Sequence, residues 1–109
     1  MINLYNEFTL RSLTNYTTSD YITYVYGYSF GKLVFFSFHA KKGFPDQCRA
    51  VENVPVALIS TAGTAFCLNG EDFDNLCCCY ITGDLIQIRC DTPTTGSNGV
   101  LFTIIYFTI

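Results

Sequence analysis

An alternation of apolar and polar residues over positions 77–90 constrains the fold more than any other part of the sequence. The segment CCCYIT is followed by Gly83 and Asp84 and then by LIQIRC. If Gly83 and Asp84 are the central residues of a tight hairpin turn, the flanking strands pair in a register that ends with Cys77 opposite Cys90. One face is then apolar and the other mostly polar, which predicts a half-buried β-hairpin. The predicted apolar face holds Cys77, Cys79, Ile81, Ile86, Ile88 and Cys90, and the predicted polar face holds Cys78, Tyr80, Thr82, Leu85, Gln87 and Arg89.

The same period of two recurs along the chain and is interrupted by turn residues at short spacing. This combination is typical of an all-β antiparallel sandwich or barrel, and no window shows a convincing helical period. Gly31 and Lys32 are predicted to turn one strand into the next. Strands are predicted at 21–28, 33–40, 54–60, 65–68 and 100–109, loops at 41–47, 69–70 and 92–99, and at most one short helical turn at 72–76.

The length and charge of the chain limit its organisation and its partners. A chain of 109 residues is expected to form one β-sandwich domain over 1–109. Six Lys and Arg residues and a net charge of −3 give no basic stripe for a phosphate backbone, so no nucleic-acid partner is expected. The first ten residues lack the features of a secretory signal, and no apolar run approaches the roughly 18 residues of a membrane span. We therefore expect synthesis in the cytoplasm without a signal peptide, and no membrane insertion.

The cysteines are predicted to be reduced, unmetallated and packed as small apolar side chains. Three adjacent cysteines on a strand point to alternate faces, whereas zinc ligands must converge. A disulfide between Cys77 and Cys90 is the alternative that the register permits, but a reducing compartment disfavours it. A nucleophilic cysteine would need a base, and His39, the one histidine, lies mid-strand without a sequence link to any cysteine. His39 is predicted to be a solvent-facing or hydrogen-bonded strand residue.

An acidic segment, NGEDFDN at 69–75, contains Glu71, Asp72 and Asp74. Carboxylate oxygens could hold calcium, but the spacing is not that of a complete calcium loop. A solvated acidic turn is therefore the favoured interpretation, and no metal, cofactor or catalytic residue is predicted.

Four tyrosines, Tyr21, Tyr24, Tyr26 and Tyr28, lie in one predicted strand. Aromatic faces stack on sugars and phenol hydroxyls bind sugar rims, so the group is compatible with a glycan platform. Ordinary sheet residues are the favoured interpretation, and the sequence assigns no binding residue.

Two predicted strands are apolar on both faces. In 100–109, Val, Phe, Ile and Tyr alternate with Leu, Thr, Ile, Phe and Ile, and 34–38 behaves in the same way. A second apolar face on an antiparallel strand is covered either by loops or by another subunit. In a chain of this size, a subunit is the expected cover.

Five segments follow one another in a recognisable order: GKLVFFSFHA at 31–40, a Pro-containing loop, GDLIQI at 83–88, a polar Gly-rich loop and LFTIIYFTI at 101–109. Together they resemble the carboxy-terminal head domains of phage tail fibres and baseplate receptor-binding proteins. In that family a glycine precedes an alternating strand, a Gly-Asp or Asp-Gly pair precedes an Ile-x-Ile strand, and an aromatic strand ends the chain. The family's heads usually follow a long amino-terminal shaft, whereas this sandwich begins close to Met1. Either the chain is a fragment or a stand-alone module, or the resemblance concerns the fold alone.

The resemblance implies a jelly-roll-like β-sandwich that forms a homotrimer in a phage or prophage tail. Its implied function is non-catalytic recognition of a host-surface glycan or protein. A structural or assembly protein without a ligand is the alternative, and an enzyme ranks third because the sequence offers no nucleophile-base pair, metal cluster or phosphate loop. Glycan-array binding would separate the first two functions.

Overall fold

Two five-stranded antiparallel sheets pack face to face in the computed structural model, which describes residues 9–41, 44–45, 47–67, 77–90 and 99–109. The predicted all-β antiparallel sandwich is confirmed. The strands of the described residues are β1 Leu10–Ser12, β2 Thr17–Thr18, β3 Ile22–Phe30, β4 Leu33–Ala40, β5 Gln47–Glu52, β6 Thr61–Ala62, β7 Thr64–Cys67, β8 Cys77–Thr82, β9 Leu85–Cys90 and β10 Val100–Phe107. Their order is β1-β3-β4-β10-β7 in one sheet, called the front sheet, and β2-β5-β9-β8-β6 in the other, called the back sheet.

The β8–β9 hairpin has the predicted register. Backbone pairing runs from Thr82 opposite Leu85 to Cys77 opposite Cys90. Gly83 has a φ of 61°, which suits the first central position of a two-residue hairpin turn. The described side chains of the predicted apolar face, Cys79, Ile81, Ile86 and Ile88, are all fully buried. The side chains of Cys77 and Cys90 lie outside what the structure describes.

The front sheet supplies the aromatic half of the core. β3 and β4 join at the predicted Gly31-Lys32 turn, and β10 pairs with β4 along its whole length. Phe38 and Phe102 stack with ring centroids 5.2 Å apart, and Phe44 meets Phe102 edge-on at 6.1 Å. These rings and the isoleucines of the back sheet form one buried core. The alternate residues of β4 and β10 point away from this core, so each of these strands has one core face and one outer face.

The predicted strand at 54–60 is wrong. Only Ala57 forms a bridge there, with Thr108. The backbone of this segment changes partners between the sheets: the Ala57 N–H donates to Gly83 O (2.9 Å), whereas the Leu58 N–H donates to Phe107 O (2.8 Å). Pro55 has no N–H to contribute to a ladder, so a regular strand does not form.

The strand β5 was not predicted, because its sequence QCRAVE does not alternate cleanly. A register shift between Arg49 and Val51 turns both Ala50 and Val51 into the core, as a β-bulge does. The short strands β1, β2 and β6 were also missed. The predicted turn at 69–70, the helical turn at 72–76 and the loop residues 92–98 lie outside the described residues.

Candidate functional site

The outer faces of the two sheets differ in chemistry. The outer face of the back sheet is polar, and on it Arg49 and Glu52 form an exposed ion pair at 3.4 Å. A shallow groove of about 230 Å³ lies beside Arg49, Tyr80 and Gln87. This composition suits contact with water. The outer face of the front sheet instead carries tyrosine and histidine rings at one end and apolar side chains at the other.

The aromatic end of the front sheet consists of Thr23, Tyr24, Tyr26 and His39. Tyr24 pairs with His39 across β3 and β4, and their rings stack with centroids 5.3 Å apart and an interplanar angle of 7°. Tyr26 is tilted by 56° against Tyr24 at 5.6 Å. Both tyrosines are exposed, Tyr26 by 55%. The cluster therefore presents ring faces and phenol hydroxyls to the surroundings.

His39 is held in place by its neighbours. Its Nδ1 and the Thr23 Oγ1 share a hydrogen bond of 2.6 Å, and Thr23 Oγ1 also lies 3.3 Å from the His39 carbonyl oxygen. Gly99, whose φ is 73°, lies against the other side of the ring, where an added Cβ would come within 2.8 Å of Nε2. As predicted, His39 is a hydrogen-bonded strand residue. This arrangement fixes the orientation of the ring and of the tyrosine stacked on it.

The other end of this face, called the apolar end, is a continuous surface. The strand registers place Leu10 beside Phe30, Phe30 beside Leu33, and Leu33 beside Phe107. The hydrogen bond from Leu58 N–H to Phe107 O extends this row beyond β10. Eight apolar side chains form this surface, and each is 36–70% exposed: Leu10, Phe30, Leu33, Val56, Leu58, Ile105, Phe107 and Ile109.

The described thiols belong to the back sheet, whereas His39 lies on the front sheet. Cys48, Cys78 and Cys79 are free thiols. Burial, with a smaller effect of neighbouring Cys78, raises the pKa of Cys79 to about 12, and burial also raises the pKa of Cys48. A nucleophilic cysteine needs a lowered pKa, so Cys79 has the opposite character. The Cys79 Sγ donates only a long contact of 3.8 Å to Thr103 O.

Other candidate sites contribute no reactive group among the described residues. A groove of about 340 Å³ between residues 12–16 and 53–55 is lined by hydroxyl, amide and apolar side chains. The described residues contain no group of three or more His, Cys, Asp or Glu side chains arranged to hold a metal ion. The acidic residues Glu71, Asp72 and Asp74 lie outside the described residues. Within the described part of the chain, no helix has the length and apolarity to cross a membrane.

The predicted tyrosine group is divided by the fold. Tyr24, Tyr26 and Tyr28 face outward, but Tyr21 packs against the core. The apolar end was only partly foreseen, because Leu10 and Leu58 come from segments whose pairing with the front sheet the sequence did not indicate. The exposed pair Phe30 and Leu33, on either side of the predicted turn, was the available signal.

No family model matches the sequence, and searches of curated proteins and of solved structures find no match either.

Proposed function

We propose that the chain is a non-catalytic recognition module of the phage or prophage tail-head type, working as a homotrimer that binds a host-surface glycan. The observation behind this proposal is the aromatic end, with Tyr24 stacked on an oriented His39 and Tyr26 beside them. As part of a tail, the module would belong to the virion.

The chemistry of the aromatic end favours a sugar over a protein partner. Exposed aromatic faces stack on the C–H face of a pyranose, and hydroxyl groups bind its rim. Thr23, Ser37 and Thr103 supply hydroxyls on the same outer face as the rings. The side chains named here contain no carboxylate or ammonium group, which suits an uncharged saccharide.

A glycan array with uncharged and acidic oligosaccharides tests this proposal. We expect the wild type to bind uncharged glycans and Tyr26→Ala to lose about fivefold or more in affinity, taking the roughly 1–3 kcal/mol that a base gains by stacking on one aromatic ring as the scale for a stacked sugar. Tyr80→Ala, on the polar outer face of the back sheet, is the matched control and should bind normally. Equal loss in both variants, or no binding by the wild type, would contradict a glycan site at the aromatic end.

The second candidate function is a structural or assembly protein without a ligand. The apolar end favours it, because this surface suits contact with protein and offers no polar group to specify a sugar. If the array shows no ligand and the chain still assembles, this function replaces the first.

A further inference from the structure

We propose that the apolar end of the front sheet is the surface through which copies of this chain bind one another. The inference depends on the proposed function only for the number of copies. It assigns the contact to a defined set of side chains, centred on the row from Leu58 through Phe107 and Leu33 to Phe30 and Leu10.

The area of the apolar end approaches what a stable subunit contact needs. A large aromatic side chain offers roughly 150–250 Å² and an aliphatic one lies near the lower limit, so the exposed fractions of the eight side chains add to an area on the order of 700 Å². The largest apolar patch on a typical monomer is roughly 300–600 Å². A standard interface buries roughly 800 Å² on each partner. The apolar end therefore exceeds the first value and approaches the second.

The shape of the surface favours a second copy as the occupant. The row crosses β1, β3, β4 and β10 at the same level, so its side chains stand on a single sheet face. Such a face packs well against another sheet face, at a spacing of about 10 Å. In a two-fold pair the apolar end would meet the same surface of its partner, and in a trimer the apolar ends of three copies would converge around the three-fold axis, so every copy would be covered without a second protein.

The surroundings of the apolar end also fit an interface. Lys32, in the turn between Phe30 and Leu33, is exposed and stands at the rim of the surface. Polar and charged residues surround apolar interface centres, where they remain in contact with water. On the outer face of the back sheet, Arg49, Gln87 and Arg89 occupy the central rows instead, which makes that face a poor alternative.

Sedimentation velocity of the full chain tests this inference. The concentrations, about 1–100 µM, span the micromolar range of weak interfaces. The variants are Ile105→Lys on β10 and Leu58→Lys. Because Leu58 lies outside the regular strands, a lysine there should disturb folding less than one at Ile105. We expect each to raise the dissociation constant by at least about tenfold, because an ammonium group would be placed in a dry contact. Gln87→Lys on β9, the matched outer-face position of the back sheet, should assemble like the wild type.

The outcomes separate this inference from the proposed function. A wild-type trimer or dimer that both lysine variants dissociate, with unchanged circular dichroism, supports the apolar end; a dimer would at the same time overturn the proposed trimer. A monomeric wild type, or folded lysine variants that assemble normally, would overturn the inference. Glycan binding by a monomeric Leu58→Lys variant would leave the recognition function standing on its own.

Discussion

Replacing Cys79 with serine should destabilise the sandwich by about 1–3 kcal/mol, the cost of burying a hydroxyl without a good partner. Cys79 is fully buried, and its Sγ lies 3.8 Å from Thr103 O. A C–O bond is shorter than a C–S bond, so the serine hydroxyl would lie farther from that carbonyl. Gly63 packs against the Sγ so closely that a Cβ there would come within 2.5 Å of it, which leaves little room for a compensating water.

Two further variants separate polarity from packing at this site. Cys79→Ala removes the sulfur without adding a polar group, so it should be less destabilising than Cys79→Ser by about 1 kcal/mol. Cys78 is half-buried and lies on the outer face of the same strand, so Cys78→Ser should change stability by less than about 0.5 kcal/mol.

Urea unfolding under reducing conditions, followed by circular dichroism, measures these differences. All variants must be compared at one subunit concentration, because assembly adds to apparent stability. If Cys79→Ser proved as stable as the wild type, or if Cys78→Ser were equally destabilised, the assignment of the two cysteines to opposite faces would be refuted.

Three further predictions concern the thiols, alkaline pH and β10. Thiol titration of protein denatured without reductant should count close to six, the number of cysteines in the sequence, and a count near four would reveal a disulfide. Stability should fall from about pH 9 upward, by up to about 1.4 kcal/mol per pH unit, because the unfolded chain loses the Cys79 proton there while the folded chain retains it up to a pKa of about 12. Urea midpoints at pH 8 and pH 10 should therefore differ less in Cys79→Ala than in the wild type. Burial also raises the pKa of Tyr106, so part of the alkaline loss of stability should remain in that variant. Phe102→Lys should unfold the domain because Phe102 is fully buried, whereas Leu101→Lys on the outer face should keep the wild-type circular dichroism spectrum; two folded variants would contradict this account of β10.

The sequence predicted the parts of the fold in which local patterns agree with long-range pairing. In the β8–β9 hairpin, the turn residues and the alternation specify one register, and that register is observed. The two-sided character of β10 was also visible, since Phe102 and Ile104 are buried while Ile105 and Phe107 are exposed.

The missed parts depend on contacts that local sequence does not specify. The bulge in β5 turns Ala50 and Val51 inward together, which hides the period of two. The segment around Ala57 has strand-like residues but bonds to both sheets, so its conformation follows from tertiary contacts. For the same reason, the sequence located the tyrosines and His39 but not their stacking, which requires the register of β3 against β4.

The central position of β10 has a consequence for the order of folding. β10 lies between β4 and β7 in the front sheet, yet it follows every other described strand along the chain. During synthesis, therefore, β4 emerges from the ribosome well before β10, the strand that covers its edge. Until then Phe36 and Phe38 lack their cross-strand neighbours in β10. Pairing of such distant segments closes a long loop and is intrinsically slow. Ribosome-bound chains that end before residue 100 should thus bind chaperones through β4, and release from them should coincide with the emergence of β10.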